Sequence, residues 1–144
     1  MPNFGDAINP LIVGHVAGRV VKHIGARRAE LFAIGSIMQL AKRTQNAARE
    51  EGEKLCVWGT GLLRPIFGHD FLDNVELALV RGPITAALLK REMKQFGDPG
   101  LRINEALPFE GSRIDRIGVV PHYSLMEDPE LLALVDSDPA YMLI

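Results

Sequence analysis

Short apolar runs that each stop at small or polar residues punctuate this chain, and they restrict its possible folds more than any other feature. Ala33-Ile34-Gly35-Ser36 is one such junction, Cys56-Val57-Trp58-Gly59-Thr60-Gly61 a second, and Leu79-Val80-Arg81-Gly82-Pro83-Ile84-Thr85 a third. Aliphatic or β-branched runs alternating with helical stretches predict an α/β fold, a Rossmann-like parallel sheet with flanking helices. In such sheets ligands bind in the crevice outside the carboxyl ends of the strands. The glycines, Ser36, Thr60 and Arg81 therefore mark where chemistry is expected.

The element order follows from local signals. Asn9-Pro10 reads as an N-cap followed by proline at the first helical position, opening a helix over residues 10–20 with Leu11, Ile12, Val16 and Val20 at helical spacing. Strands are expected at 31–35, 55–58 and 75–80. A helix starting at Ser36 carries Ile37, Leu40, Ala41 and Ala47 on one side. Gly82-Pro83 opens another helix, with Lys90, Arg91 and Lys94 in its last turns and Gly97 as a left-handed cap. Then come an apolar run at Ile117–Val120, a short helix from Asp128-Pro129 and a strand at Tyr141–Ile144. Residues 1–124 are expected to form one N-terminal domain and 125–144 the start of a linker or second domain. Helical signals begin almost at once and the last residues are apolar, so the chain reads as a piece of a larger fold. An unfinished edge strand at Tyr141–Ile144 favours self-association into a homo-oligomer.

Bulk properties exclude several function classes. With 144 residues a real core is attainable, and a net charge of −2 offers no global attraction to nucleic acid or to an anionic membrane. No apolar stretch reaches the ~18 residues of a membrane-spanning helix, so no stable membrane insertion is expected. Cys56 is the single cysteine, which rules out an internal disulfide, and its apolar run predicts a buried, unreactive thiol. A cytoplasmic location is the expectation. His15, His23, His69 and His122 show no metal-ligand spacing with each other or with Cys56.

Four segments can carry chemistry. Arg81 stands where a strand hands over to a helix, so its guanidinium and the unpaired N–H groups at Gly82 and beyond suit a carboxylate or phosphate. The plainer alternative pairs Arg81 with a carboxylate such as Asp6 or Asp98. Asp6, in Asn3-Phe4-Gly5-Asp6, can orient a sugar hydroxyl or act as a base, or simply cap a turn. Gly59-Thr60-Gly61 lacks the third glycine of a dinucleotide fingerprint, since Arg64 stands in its place, and reads instead as a tight turn admitting a ligand or a neighbouring loop. His122, after a proline at a strand end, is a site residue or a hydrogen-bonded structural one.

Taken in order, Asn3-Phe4-Gly5-Asp6 with Asn9-Pro10, Gly35-Ser36-Ile37, Val57-Trp58-Gly59-Thr60-Gly61, Val80-Arg81-Gly82-Pro83-Ile84-Thr85, Gly97-Asp98-Pro99 and Gly118-Val119-Val120-Pro121-His122-Tyr123 resemble the polysaccharide pyruvyl transferase family. The resemblance implies the N-terminal half of a two-domain glycosyltransferase-B-like fold. It implies transfer of a pyruvyl group from phosphoenolpyruvate to two hydroxyls of a cell-surface polysaccharide or lipid-linked saccharide, forming a ketal and releasing phosphate, with no metal or redox cofactor. On that basis Asp6 is the expected catalytic residue, with Asn3, Gly5, Ser36, Gly59, Thr60, Arg81, Gly82 and His122 binding substrate. The strand that usually precedes the Asn-Phe-Gly-Asp segment is not found. Nor is the Leu-His-Gly segment whose histidine looks like the family's acid catalyst, so the chain alone is expected to be inactive as a transferase. The alternatives are a non-catalytic carbohydrate- or anion-binding module and a nucleotide-sugar glycosyltransferase of similar fold.

Overall fold

A computed structural model describes residues 4–45, 52–108 and 110–144. The chain forms two compact units, Met1–Phe109 and Glu110–Ile144. The sequence reading carried the first unit to residue 124, but the run at 117–119 pairs with the final strand and so belongs to the second.

The first unit is a mixed α/β structure compatible with a Rossmann-like arrangement. Its sheet has the order β1 (Leu31–Phe32), β2 (Leu55–Trp58), β3 (Val75–Leu79), all parallel, with Leu31 opposite Cys56 and Leu55 opposite Val75. An isolated parallel bridge joins Val80 to Phe96 on the far side of β3. Strand alternation divides the core in two. Phe32, Leu55, Val57 and Val75 face one side, where α2 (Met38–Arg43), a 3₁₀ turn (Asp70–Asn74) and α3 (Pro83–Leu88) bring Met38, Ala41, Phe71, Leu72, Ala86 and Leu89. On the other side Leu31, Ala33 and Trp58 meet Ile8, Ile12 and Val13 of α1 (Phe4–Ala17), together with Ile103 and Ala106 of α4 (Ile103–Ala106).

Several expected boundaries move, including the strand expected at 31–35, which ends at Phe32, and three helix boundaries move for a physical reason. Helix α1 starts before Asn9 and keeps Pro10 inside it, because Ile8 and Ile12, one turn apart, bury together against Ala33 and Ile34. Leu11, Val16 and Val20, expected on the buried stripe, are exposed. Asn9 is therefore no cap. Its Nδ2 donates to the Ile34 carbonyl (3.1 Å) and its Oδ1 accepts from the Ile34 N–H (3.4 Å), so the side-chain amide pairs with the backbone just beyond β1. Asn9→Ala is expected to destabilise the unit by about 1–3 kcal/mol, since it leaves both Ile34 groups without these partners. Urea denaturation followed by Trp58 fluorescence measures this.

Ser36 does not open α2. It sits in the turn before it, with Ile37 at the cap position. Helix α3 ends at Leu88, well before Gly97. Lys90 takes a left-handed conformation (φ 51°), its N–H donates to Ala87 (3.0 Å), and the Arg91 N–H donates to Ala86 (3.1 Å). This is a Schellman termination with lysine where glycine is usual. Lys90, Arg91 and Lys94 lie outside the helix they were expected to finish, and Gly97 serves the sheet instead, its N–H donating to the Val80 carbonyl (3.1 Å). The Ala47 position expected on α2 lies outside the described residues.

The second unit is one βαβ arrangement. β4 (Ile117–Val119) and β5 (Tyr141–Leu143) pair in parallel, linked through α5 (Pro129–Asp136). Asp128 caps α5 by accepting from the Glu130 and Leu131 N–H groups, as its position before Pro129 predicts. None of the side chains described there is buried. No helix among the described residues is long and apolar enough to cross a membrane.

Candidate functional site at the carboxyl edge of the parallel sheet

The three strands of the first unit end in turns that hold one another. Beyond β1, Gly35 adopts φ 104° and its carbonyl accepts from the Gly61 N–H (3.0 Å) and the Thr60 hydroxyl (2.7 Å). Thr60 Oγ1 also accepts from the Ile37 N–H (3.1 Å), and the Met38 N–H donates to the Gly61 carbonyl (3.2 Å). Beyond β3, the Arg81 N–H donates to the Thr60 carbonyl (3.3 Å). Thr60 is fully buried, and its hydroxyl is spent on backbone groups. Its part in the site is to shape the turn around Ser36, whereas the sequence reading gave it direct contact with substrate.

Arg81 is the centre of the edge. Its Nη1 donates to Ser36 Oγ (2.9 Å), and its Nε lies 3.1 Å from Asp98 Oδ2. The pairing follows from register: the Val80–Phe96 bridge and the Gly97–Val80 hydrogen bond set Asp98 beside Arg81. The Nε–H is not aimed at Oδ2, so this contact is an ion pair without a hydrogen bond, and the buried Nε–H has no hydrogen-bond partner among the described residues. Asp98 Oδ1 accepts from the Gly100 N–H (2.9 Å), which opens the 3₁₀ turn Pro99–Arg102. About a third of each side chain, 34% for Arg81 and 32% for Asp98, remains exposed.

The glycines have separate duties. At Gly59 (φ 90°) an added Cβ would lie 2.1 Å from Pro99 Cδ and 3.0 Å from the Gly97 carbonyl oxygen. Of the two options for this turn, a ligand or a neighbouring loop, the loop holds: Pro99 and Gly97 fill the space, so Gly59 is a packing position and does not contact substrate directly. Gly61 lies against the Arg81 side chain, with Cδ and Nη1 each 3.4 Å from where its Cβ would be. It was missed as a site residue, although it stands in the same glycine-rich run. Gly82 is extended and has open space around it. The six-residue α3 contributes little dipole, so recognition of an anion falls chiefly on Arg81.

Gly5 and Asp6 occupy the first turn of α1, where Asp6 is exposed and its charge suits the helix start. Asn3 lies outside the described residues. His122 belongs to the second unit, where its Nδ1 is 2.7 Å from Ser124 Oγ and accepts from the Ser124 N–H (3.3 Å). Cys56 is half-buried, and burial, followed by the charge of Glu76 opposite it in the register, raises its pKa. The thiol stays protonated and poorly nucleophilic. No cluster of three or more His, Cys, Asp or Glu able to hold a metal ion occurs among the described residues. The chain matches no family model, no curated protein and no solved structure.

Proposed function

We propose that the first unit is the N-terminal, Rossmann-like half of a glycosyltransferase-B-like enzyme resembling the polysaccharide pyruvyl transferases, with Arg81 on the donor side of its cleft. One observation carries this reading. Four of the sequence segments whose ordered set resembles the family, at Gly35-Ser36, Gly59-Thr60-Gly61, Arg81-Gly82 and Asp98-Pro99, join through direct hydrogen bonds, an ion pair and packing at the ligand-binding edge of a parallel sheet.

In the proposed reaction, phosphoenolpyruvate gains a proton on its vinyl CH₂, which leaves the adjacent carbon electron-poor. Two sugar hydroxyl oxygens bond to that carbon in turn and the carbon–phosphate oxygen bond breaks. One hydroxyl proton balances the proton consumed, and the other leaves with phosphate. Arg81 holds an acidic group of the donor with its guanidinium. Asp6, with Asn3 and Gly5, serves the acceptor side as general base. Roles for these three and for His122 rest on the resemblance.

A second reading, a non-catalytic carbohydrate-binding module, draws on the ion pair itself. Arg81 and Asp98 together carry no net charge, and a donor beside an acceptor suits neighbouring sugar hydroxyls. Calorimetry with phosphoenolpyruvate, a nucleoside diphosphate and a simple galactoside separates the readings. The transferase reading expects phosphoenolpyruvate affinity that falls about tenfold or more in Arg81→Ala, in line with loss of a charge-assisted hydrogen bond. Galactoside affinity with none for phosphoenolpyruvate would select the module.

A further inference from the structure

Building on the donor-side reading, we propose that Asp98 is an internal stand-in for a ligand carboxylate: it occupies the Nε side of the Arg81 guanidinium and yields that place when a carboxylate arrives from solvent. The class of group bound at Arg81 is thus a planar monoanionic carboxylate. In phosphoenolpyruvate this is the carboxyl end and not the phosphate.

The geometry around Arg81 is that of an exchangeable partner. Oδ2 is close enough to neutralise the guanidinium, yet the buried Nε–H is not hydrogen-bonded to it. A donor left in that state favours any acceptor that lies better along the N–H direction. A free carboxylate can do so, because its two oxygens match the two parallel N–H groups along one edge of a guanidinium. Asp98 cannot, because Oδ1 is committed to the Gly100 N–H, which fixes the tilt of its carboxylate.

The same anchors let the exchange proceed without unfolding. Asp98 keeps its turn through Oδ1 after Oδ2 gives up its contact. Arg81 keeps its position through Ser36 Oγ on Nη1 and through Gly61 behind its side chain. Both partners of the ion pair are reachable from solvent, and the space beside Gly82 is open. Charge selects the ligand. With one cation and one anion already present, a monoanion leaves the cluster at −1, whereas a phosphate dianion leaves it at −2. Screening by exposed solvent tempers this difference but does not reverse it.

The test is an NMR titration of the 144-residue chain with pyruvate, inorganic phosphate and phosphoenolpyruvate, in wild type, Asp98→Asn, Asp98→Ser, Arg81→Ala and Asp98→Asn/Arg81→Ala. Asn and Ser both retain an oxygen for the Gly100 N–H, so one can stand in if the other fails to fold. Removing the internal competitor is expected to tighten pyruvate binding about fivefold or more, the scale of one partly exposed ion pair. Inorganic phosphate should bind wild type more weakly than pyruvate and recover in the Asp98 variants, which remove the repelling charge, and both gains should vanish in the double variant. Unchanged or weaker pyruvate binding in folded Asp98→Asn and Asp98→Ser overturns the exchange, whatever wild type does with phosphoenolpyruvate, and so does failure of every variant to bind pyruvate. If phosphoenolpyruvate binds no better than pyruvate while the Asp98 variants still gain, the exchange stands and the pyruvyl-donor reading falls.

Discussion

Gly59→Ala is expected to destabilise the first unit by about 3 kcal/mol or more. Two costs add at this position. Alanine must adopt φ 90°, which L-residues rarely do, and its Cβ would enter the Pro99 ring, 2.1 Å from Cδ and 2.7 Å from Cγ. Neither neighbour is a flexible side-chain tip. The ring moves only with the backbone of its own turn, so relief of the clash disturbs the segment that sets Asp98 beside Arg81. Pro99→Ala in the same chain should recover part of the loss, because Cδ and Cγ of the ring are the closest obstacles. The rest should persist through the unfavourable φ and the Gly97 carbonyl, 3.0 Å from the new methyl. Urea denaturation followed by Trp58 fluorescence, run as a double-mutant cycle, measures both parts. A loss below about 1 kcal/mol for Gly59→Ala would mean that Pro99 does not pack as described.

Thr60→Val is expected to cost about 2–4 kcal/mol, against about 1 kcal/mol or less for Thr60→Ser. Valine nearly keeps the shape but removes the hydroxyl, which donates to the Gly35 carbonyl and accepts from the Ile37 N–H. The carbonyl retains the Gly61 N–H, so the larger penalty arises at Ile37, whose N–H loses the acceptor given by Thr60. Serine preserves both bonds and forfeits only a methyl group. The functional consequence follows from position. Gly35 and Ile37 flank Ser36, and Ser36 holds Nη1 of Arg81. Thr60→Val should therefore weaken pyruvate binding while Thr60→Ser leaves it near wild type. Equal stability of the two variants in urea would rule out the bridging role.

The carboxyl-edge site was legible as a location before it was legible as a set of contacts. Strand runs ending in Gly35-Ser36, Gly59-Thr60-Gly61 and Arg81-Gly82 place these residues together once the strands are parallel neighbours. Asp98 as a partner of Arg81 was foreseeable only as one option, with Asp6 as another. What decides it is the bridge from Val80 to Phe96, and nothing in the spacing of residues 81 and 98 dictates that bridge. The partners of Gly59 and Thr60 are illegible in the sequence for a related reason. Small and polar residues at a strand end look alike in sequence whether they face a ligand, a proline ring or a neighbouring carbonyl.

Local chemistry in the sequence was sufficient for β2, for the bulk of β3, and for α5 with its Asp128-Pro129 start, because alternation and capping act over a few residues. It was insufficient for the start of α1 and the end of α3. Asn9-Pro10 has the composition of a helix start, yet burial of Ile8 beside Ile12 extends the helix past it, and the Asn9 amide serves the backbone beyond β1 instead. Lys90 lacks the composition of a helix stop, yet it takes the left-handed conformation, and the chain beyond it reaches Phe96 beside Val80. The sequence by itself determined that parallel strands alternate with helices and that small, polar and cationic residues collect at their ends. Only the tertiary structure decided which carboxylate meets Arg81, since that pairing depends on long-range register and core burial, energies that no short window of residues contains.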